Sequence, residues 1–307
     1  MTEDAATSFA PLRPRLLRIA YRMLGSLAEA EDMVQEAYIR WHQVDRSAVR
    51  DAGAFLSRTV TRLCLDQIKS ARSRREAYVG PWLPEPIVEM EPMIEMASNK
   101  DEVTLTLMMA LERLSPLERA AFLLHDVFGM EFEEVAKAID RDPAACRQLA
   151  ARARQHVQAA RPRFPVTKER GKDIARAFFA ASQGGDVGAL RQLLAADVIA
   201  YSDGGGKAPA ALNPLYGDDK VARFFAGLAR KYSEGVAPNY SRPIGRPVFC
   251  TIDGLPGIMY VNDAGQAVQT TALEIEGERI VALYITRNPD KLTRITPVAA
   301  EPRTPLH

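Results

Sequence analysis

The sequence predicts a multidomain protein: two all-helical units, the second closing in a helix-turn-helix, followed by an α+β unit. Three observations predict this. Apolar residues recur at helical spacing over residues 10–79 and again over 105–164. Between those stretches, residues 80–104 are rich in proline and acid. From Pro247 onward the pattern turns to short apolar runs separated by turn residues, the mark of an antiparallel sheet. With 307 residues the chain has room for two or three domains.

In the first unit, Leu16, Leu17, Ala20, Met23 and Leu24 make an amphipathic helix that Gly25 ends. Ser26-x-x-Glu29 is a capping box opening a second helix. Met33, Val34, Ala37, Tyr38 and Trp41 share one face of it, and Asp32, Gln35, Glu36 and Arg40 the other. A polar loop, Asp45–Arg50, leads to a third helix beginning near Asp51, with Leu56, Val60, Leu63 and Cys64 inward and a basic tip at Lys69, Arg72, Arg74 and Arg75. Gly80-Pro81-Trp82-Leu83-Pro84-Glu85-Pro86 is incompatible with helix. The 80–104 segment therefore reads as an acidic linker, with a relaxed span of roughly 25–30 Å and a stretched limit of about 80 Å. Trp82 suits a local hydrophobic anchor as well as a contact, since a plain spacer has little use for it.

Ser115-Pro116-Leu117-Glu118 is a capping box with proline at the first helical position, and Gly129 stops the helix it opens. Phe132, Val135, Ala136 and Ile139 form a second stripe. Asp140-Arg141-Asp142 makes the turn, and Pro143 begins a helix that buries Cys146, Leu149, Ala150, Ala153 and Val157. Arg147, Gln148, Arg152 and Arg154 remain on its outer face, which is a helix-turn-helix pattern. From Arg141 to Arg163 there are six arginines and one acid, in a chain of net charge +1. Arginine forks suit phosphate and the guanine edge, and glutamine suits adenine. The same charges also fit a solvated helix face.

The last unit, 168–293, opens with helices over Lys168–Gln183 and Val187–Leu194 and a strand over Val198–Tyr201. A glycine loop, Asp203-Gly204-Gly205-Gly206-Lys207, follows, and Asp218 caps a further helix. Strands over Pro247–Cys250, Gly257–Val261, Val268–Ile275 and Ile280–Ile285 complete it, the last three a meander. The proline-bearing tail 294–307 reads as disordered.

The chain has no run of eighteen apolar residues and no apolar signal core, so neither a membrane span nor secretion is expected, and the compartment expected is the cytoplasm. Cys64, Cys146 and Cys250 are far apart and form no Cys-x-x-Cys or His/Cys cluster, which argues against disulfides and metal. The α+β unit contains no histidine. No cofactor and no catalysis are expected.

Ala30-Glu31-Asp32-Met33-Val34-Gln35-Glu36-Ala37-Tyr38-Ile39-Arg40-Trp41 resembles the polymerase-binding helix of the sigma-two domain of extracytoplasmic-function (group IV) RNA polymerase sigma factors. Residues 112–157 resemble sigma-four, and 168–293 resemble the cone-shaped SnoaL-like fold. A subgroup with that domain fused at the C-terminus shares Trp82-Leu83-Pro84-Glu85-Pro86, Asp203–Lys207 and Asn288-Pro289-Asp290-Lys291-Leu292, all present here in order. The resemblance implies a factor that binds RNA polymerase core through its β′ and β subunits and directs it to promoter DNA. It assigns Asp32, Gln35, Glu36 and Trp41 to the β′ coiled coil, although Trp41 equally suits a core position. It sets Arg58, Arg62, Lys69, Arg72, Arg74 and Arg75 along the unwound minus-ten strand. Arg147, Gln148 and Arg152 would face bases of the minus-thirty-five element, and Arg154, Arg161 and Arg163 its phosphates. Trp82, Leu83, Pro84, Asp203, Gly204, Gly205, Gly206, Lys207, Asn288, Pro289, Asp290, Lys291 and Leu292 are expected to meet in an interdomain regulatory contact. The extension would then replace a separate anti-sigma factor. The rival expectation is a one-component DNA-binding regulator with a ligand-sensing C-terminal domain, which leaves residues 10–79 without a task.

Overall fold

The computed structural model describes residues 4–76, 78–89, 104–159, 166–233 and 245–296; for 70–76, 159 and 232 it describes only the backbone. The chain divides into two compact units, 1–77 with 106–161 and 78–105 with 162–307. The second helical segment thus packs with the first in one unit instead of standing apart from it. The expected linker contributes to the other.

The first unit is all helical: α1 (Ala5–Phe9), α2 (Arg13–Leu24), α3 (Leu27–Gln43), α4 (Ala52–Glu76), then, within the helical part of 106–161, the body of α5 (Leu105–Glu112), α6 (Pro116–Phe122), α7 (Phe132–Ile139) and α8 (Pro143–Ala159). Its boundaries are set locally. Gly25 closes α2 at φ 70, where a side chain would be strained. The Ser26 hydroxyl accepts from Glu29 N at 3.2 Å, while the Glu29 carboxylate accepts from Gln67 of α4 at 2.9 Å. Ser115 and Glu118 form the reciprocal capping box over α6. Helix α6 runs directly into a π-helical turn over Leu123–Val127, a widening that the sequence pattern does not announce.

The core of this unit joins Leu16, Ile19, Met23, Val34, Ala37, Trp41, Leu56 and Val60 with Leu111, Leu123, Leu124 and Val135, all buried. Polar contacts fasten the two segments. Arg119, 3% exposed, donates to the Met23 carbonyl and pairs with Glu112, each at 2.7 Å. Arg15 donates to the Phe128 carbonyl at 3.1 Å, and the Arg22 guanidinium lies 5.0 Å over the Phe128 ring.

The second unit is α+β. Helices α9 (Lys168–Gly184), α10 (Val187–Leu193) and α11 (Asp218–Ser233) pack on one curved sheet. Its strands are β1 (Val88–Glu89), β2 (Leu194–Asp203), β3 (Leu215–Tyr216), β4 (Arg246–Ile252), β5 (Leu255–Val261), β6 (Ala267–Glu276) and β7 (Arg279–Thr286), in spatial order β1-β4-β5-β6-β7-β2-β3. This is the cone-shaped α+β architecture expected. The strands run up to four residues longer at an end than the sequence pattern alone indicates, because pairing partners extend them. Asp218 lies inside the first turn of α11 instead of at its cap, where it accepts from Arg191 at 3.0 Å. The core joins Ile174, Phe178, Leu190, Val198, Val221, Leu273 and Leu283. A short helix, α12 (Pro289–Leu292), capped by Asn288, follows β7. Of the tail, residues 297–307 lie outside the described residues.

Replacing Arg119 by Met removes the cation that the Glu112 carboxylate and the Met23 carbonyl share. We expect this to cost about 3 kcal/mol. Urea unfolding followed by Trp41 fluorescence in a Trp82→Phe background measures it, and a change below about 0.5 kcal/mol would remove Arg119 from the fastening role.

Candidate functional site

Two groups of candidate residues lie in the first unit. On α3, Asp32 and Gln35 are exposed and Glu36 is half-buried, pairing with Arg40 at 2.8 Å. Ile39, 44% exposed, sits one turn on from Gln35 and adds an apolar surface to the same side. Trp41 does not share that surface. It is 2% exposed, its indole N–H donates to Ser8 at 3.1 Å, and its ring lies 5.6 Å from that of Phe55. The structure therefore corrects the expectation for Trp41: helical spacing from Val34 and Ala37 turns it into the core.

The basic residues are arranged less openly than expected. Arg62 donates to the Lys137 carbonyl at 2.8 Å and the Ala138 carbonyl at 3.4 Å, at the C-terminal end of α7 where the helix dipole favours a cation. Arg58 is half-buried beside it, and Lys69 pairs with Asp66 at 3.3 Å. The side chains of Arg72, Arg74 and Arg75, and all of Arg161 and Arg163, lie outside the described residues. In the helix-turn-helix, Asp140 takes φ 55 to end α7, and Asp142 caps α8 by accepting from Ala145 N at 2.8 Å. That bond holds the Asp142 carboxyl below its usual range. Arg147 and Gln148 are exposed, and the Arg147 guanidinium sits 5.8 Å over the Phe132 ring. Arg152 donates to Glu118 at 2.8 Å and Arg154 to Asp126 at 2.5 Å. Glu118 is held below the usual carboxylate range, first by the Ser115 hydroxyl and then by Arg152.

The second unit brings three separate sequence segments to one carboxylate. Asp203 ends β2 and is fully buried. Its Oδ1 accepts from the Tyr78 hydroxyl at 2.6 Å, and its Oδ2 accepts from Leu83 N at 2.9 Å and Lys291 Nζ at 2.7 Å. The Asp203 carbonyl accepts from Arg287 N at 2.7 Å and Asn288 N at 3.0 Å. Lys291, 9% exposed, also donates to the Leu83 carbonyl, and its ammonium stands 4.1 Å from the Trp82 ring centre and 5.0 Å from that of Tyr78. Asn288 donates to the Tyr78 hydroxyl at 2.8 Å and accepts from Asp290 N at 3.1 Å. Lys207 pairs with Asp290 on the surface. Burial and the Asp203 carboxylate push the Tyr78 phenol above its ordinary range, so it stays a donor. Leu83, Pro84, Glu85 and Pro86 are buried, and Leu292 closes the cluster from α12. The described part of the linker is thus packed structure, because its apolar residues bury on this unit. Residues 90–103 lie outside the described residues.

The glycines are needed by the approach of the chain. Gly205 has φ 57, and a Cβ there would lie 2.3 Å from Asn288 Nδ2 and 2.9 Å from the Tyr78 hydroxyl. At Gly204 a Cβ would lie 2.1 Å from the Ala208 carbonyl oxygen.

Asp253 makes a second fastening, which no sequence motif above marks. Asp253, at φ 45, begins the Asp-Gly turn between β4 and β5. Its carboxylate accepts from Ile87 N at 3.2 Å, its N–H donates to the Ile87 carbonyl at 2.9 Å, and its carbonyl accepts from Leu105 N at 2.9 Å. Val88 and Glu89 then pair with Ile252 and Thr251. Both ends of the 78–105 segment are therefore bonded to the same unit. The Asp-Gly dipeptide between apolar runs was a readable hairpin signal; Tyr78 carried none.

Gly205→Ala should open the Asp203 cluster and expose residues 78–89. Limited proteolysis should cut there at least tenfold faster, whereas Gly129→Ala, at φ 68 with no atom within 4 Å of the added carbon, should leave the rate within twofold. Equal rates in the two variants would show that the glycine loop does not hold the linker.

Comparison with known proteins accounts for both units. Residues 9–74 match Sigma-70 region 2, and residues 104–157 match Sigma-70, region 4. The chain is 37% identical over 293 residues to the ECF RNA polymerase sigma factor SigJ of Mycobacterium tuberculosis, covering 94% of this chain and 93% of the relative. It is 32% identical over 284 residues to the probable ECF RNA polymerase sigma factor SigI of the same species, covering 91% and 92%. The crystal structure of the M. tuberculosis extracytoplasmic function sigma factor SigJ superposes with a TM-score of 0.71 at 35% identity, over 93% of this chain and 97% of that one. These matches cover more than nine tenths of the chain and so extend beyond both Sigma-70 regions into the C-terminal α+β unit, and the chain belongs to the extracytoplasmic function family of RNA polymerase sigma factors.

Proposed function

We propose that this sigma factor is controlled in cis: its C-terminal unit holds the linker between regions 2 and 4, and release of that linker lets the two regions spread on promoter DNA. Sigma factors bind RNA polymerase core and direct it to promoters. The observation that carries the regulatory reading is the buried Asp203 carboxylate, which bonds the linker at Tyr78 and Leu83 and is neutralised by Lys291.

A magnitude supports it. Elements centred about 25 base pairs apart lie about 80 Å apart on B-form DNA. A compact unit of about 130 residues has a radius of gyration of about 14 Å and so spans about 36 Å. Regions 2 and 4, packed as one unit, are too close together to reach both elements. Spreading them requires the full length of the connecting segment, and its two ends are bonded to the C-terminal unit. The arginines point the same way: Arg62, Arg152 and Arg154 are engaged within the chain and must exchange those partners for nucleic acid.

In this reading the β′ subunit meets Asp32, Gln35 and Glu36, with Ile39 as the apolar anchor in place of Trp41. Arg58, Arg62, Lys69, Arg72, Arg74 and Arg75 follow the minus-ten strand. Arg147, Gln148 and Arg152 read the minus-thirty-five element, with Arg154 on phosphate. Regulation within the chain makes a separate anti-sigma factor unnecessary.

Asp203→Asn keeps the shape of the side chain and removes the charge that neutralises buried Lys291. It should raise in vitro transcription with purified core severalfold, and Tyr78→Phe should raise it less. Unchanged or lower output from both variants would sink cis control by this contact. Arg147→Ala should weaken promoter binding of the holoenzyme by about 1–3 kcal/mol and relax selectivity at a single base pair. If binding fell equally on every promoter sequence in a mobility-shift series, Arg147 would be a phosphate contact.

A further inference from the structure

The C-terminal cone contains a cavity of about 800 Å³, within the range of small-molecule sites. Neither family match extends to it. Its walls are aromatic. Phe178 and Phe225 meet edge to face at 5.1 Å, and Phe179 and Tyr260 pack at 6.3 Å.

Two polar atoms on its lining residues are buried without a hydrogen-bond partner among the described residues: Ser182 Oγ, on α9, and Arg287 Nε, just after β7. Such atoms are costly unless a ligand or water meets them. Arg287 has one bond from its guanidinium, Nη1 to the Pro209 carbonyl at 2.6 Å, and its burial depresses its pKa. An anion would reverse that penalty. Lys207 and Lys231 also line the cavity, and no acid or histidine does among the described residues. The wall therefore supplies flat apolar surface and a one-sided positive charge, with no group suited to general-base chemistry.

We propose that this cavity is a binding site for a small aromatic or polycyclic anion, its apolar body among the phenylalanines and its carboxylate or sulfonate on Arg287. Val79 and Gly80, next to Tyr78, form part of the rim, as do Gly204 and Gly206 of the glycine loop. An occupant therefore touches the segments that meet at Asp203. That it would bias the linker rests on the cis-control reading; the binding site does not.

The test uses the full-length chain without polymerase and two fluorescent probes of the same skeleton: anionic 8-anilinonaphthalene-1-sulfonate and neutral N-phenyl-1-naphthylamine. The sulfonate should bind saturably at one site per chain. Arg287→Gln should weaken it about tenfold while leaving the neutral probe within twofold. Arg287→Lys should restore much of the loss. Ser182→Leu, which leaves the Arg287 bond to Pro209 in place, should weaken both probes severalfold and serves if Arg287→Gln does not fold. Absence of saturable binding below millimolar concentration, or sulfonate affinity unchanged in Ser182→Leu, overturns the site. Equal losses of both probes in Arg287→Gln overturn the anion assignment. Because polymerase is absent, failure here leaves the cis-control reading untouched.

Discussion

The packing of residues 78–83 on the C-terminal unit depends on one fully buried carboxylate, Asp203. An isolated charge at a fully buried position would be prohibitively costly. Asp203 is tolerated because a phenol, a backbone amide and an ammonium satisfy it, and because two aromatic rings of the linker flank that ammonium. These partners come from two stretches, Tyr78 to Leu83 and Lys291, so departure of the first strips two hydrogen bonds from a buried carboxylate and departure of the second strips its cation. Glycine at 204 and 205 lets the backbone come close enough for this. The arrangement is all-or-none in a way that a hydrophobic patch of similar area would not be, since removing one partner of a buried ion pair costs more than the pair itself contributes.

The same logic runs through the helical unit in a softer form. Regions 2 and 4 share an apolar core, but the charged contacts between and beside them are mostly solvent-facing. Arg62 sits on the carbonyl end of α7, and Arg152 and Arg154 sit on surface acids. Exposed pairs of this kind contribute little and are readily exchanged for phosphates. Arg22 and Arg119 are buried and contrast with these, the first over the Phe128 ring and the second on Glu112 and the Met23 carbonyl. The buried polar contacts thus hold the unit together, while the weak ones lie on the surfaces that the proposed function assigns to nucleic acid.

How far this was readable depends on the range of each interaction. Helix ends were legible because caps act within three residues: Ser115 with Glu118, Asp142 with Ala145. The helix-turn-helix and the sheet meander were legible by periodicity. Composition alone reads 80–104 as a spacer, because proline and acid are what a spacer contains; the expectation that Trp82, Leu83 and Pro84 meet Asp203 rests on the motifs of the resemblance, since nothing local says that Leu83 finds Asp203 120 residues away. Trp82 was conspicuous, but its cation lies more than two hundred positions on. Trp41 shows a conflict between two kinds of reading. Its spacing from Val34 and Ala37 already put it on the apolar face, and the role carried over by resemblance had to give way to that geometry.

Strand β1 is only two residues long, yet it occupies the edge of the sheet beside β4. A factor that frees its linker therefore also uncovers the end of an edge strand and the Asp253 amide that Ile87 had satisfied. Exposed edges invite pairing with other chains. A released form would therefore carry an unpaired stretch of sheet edge. Under the proposed cis control, the segment that would restrain promoter reach would also cover this sheet edge.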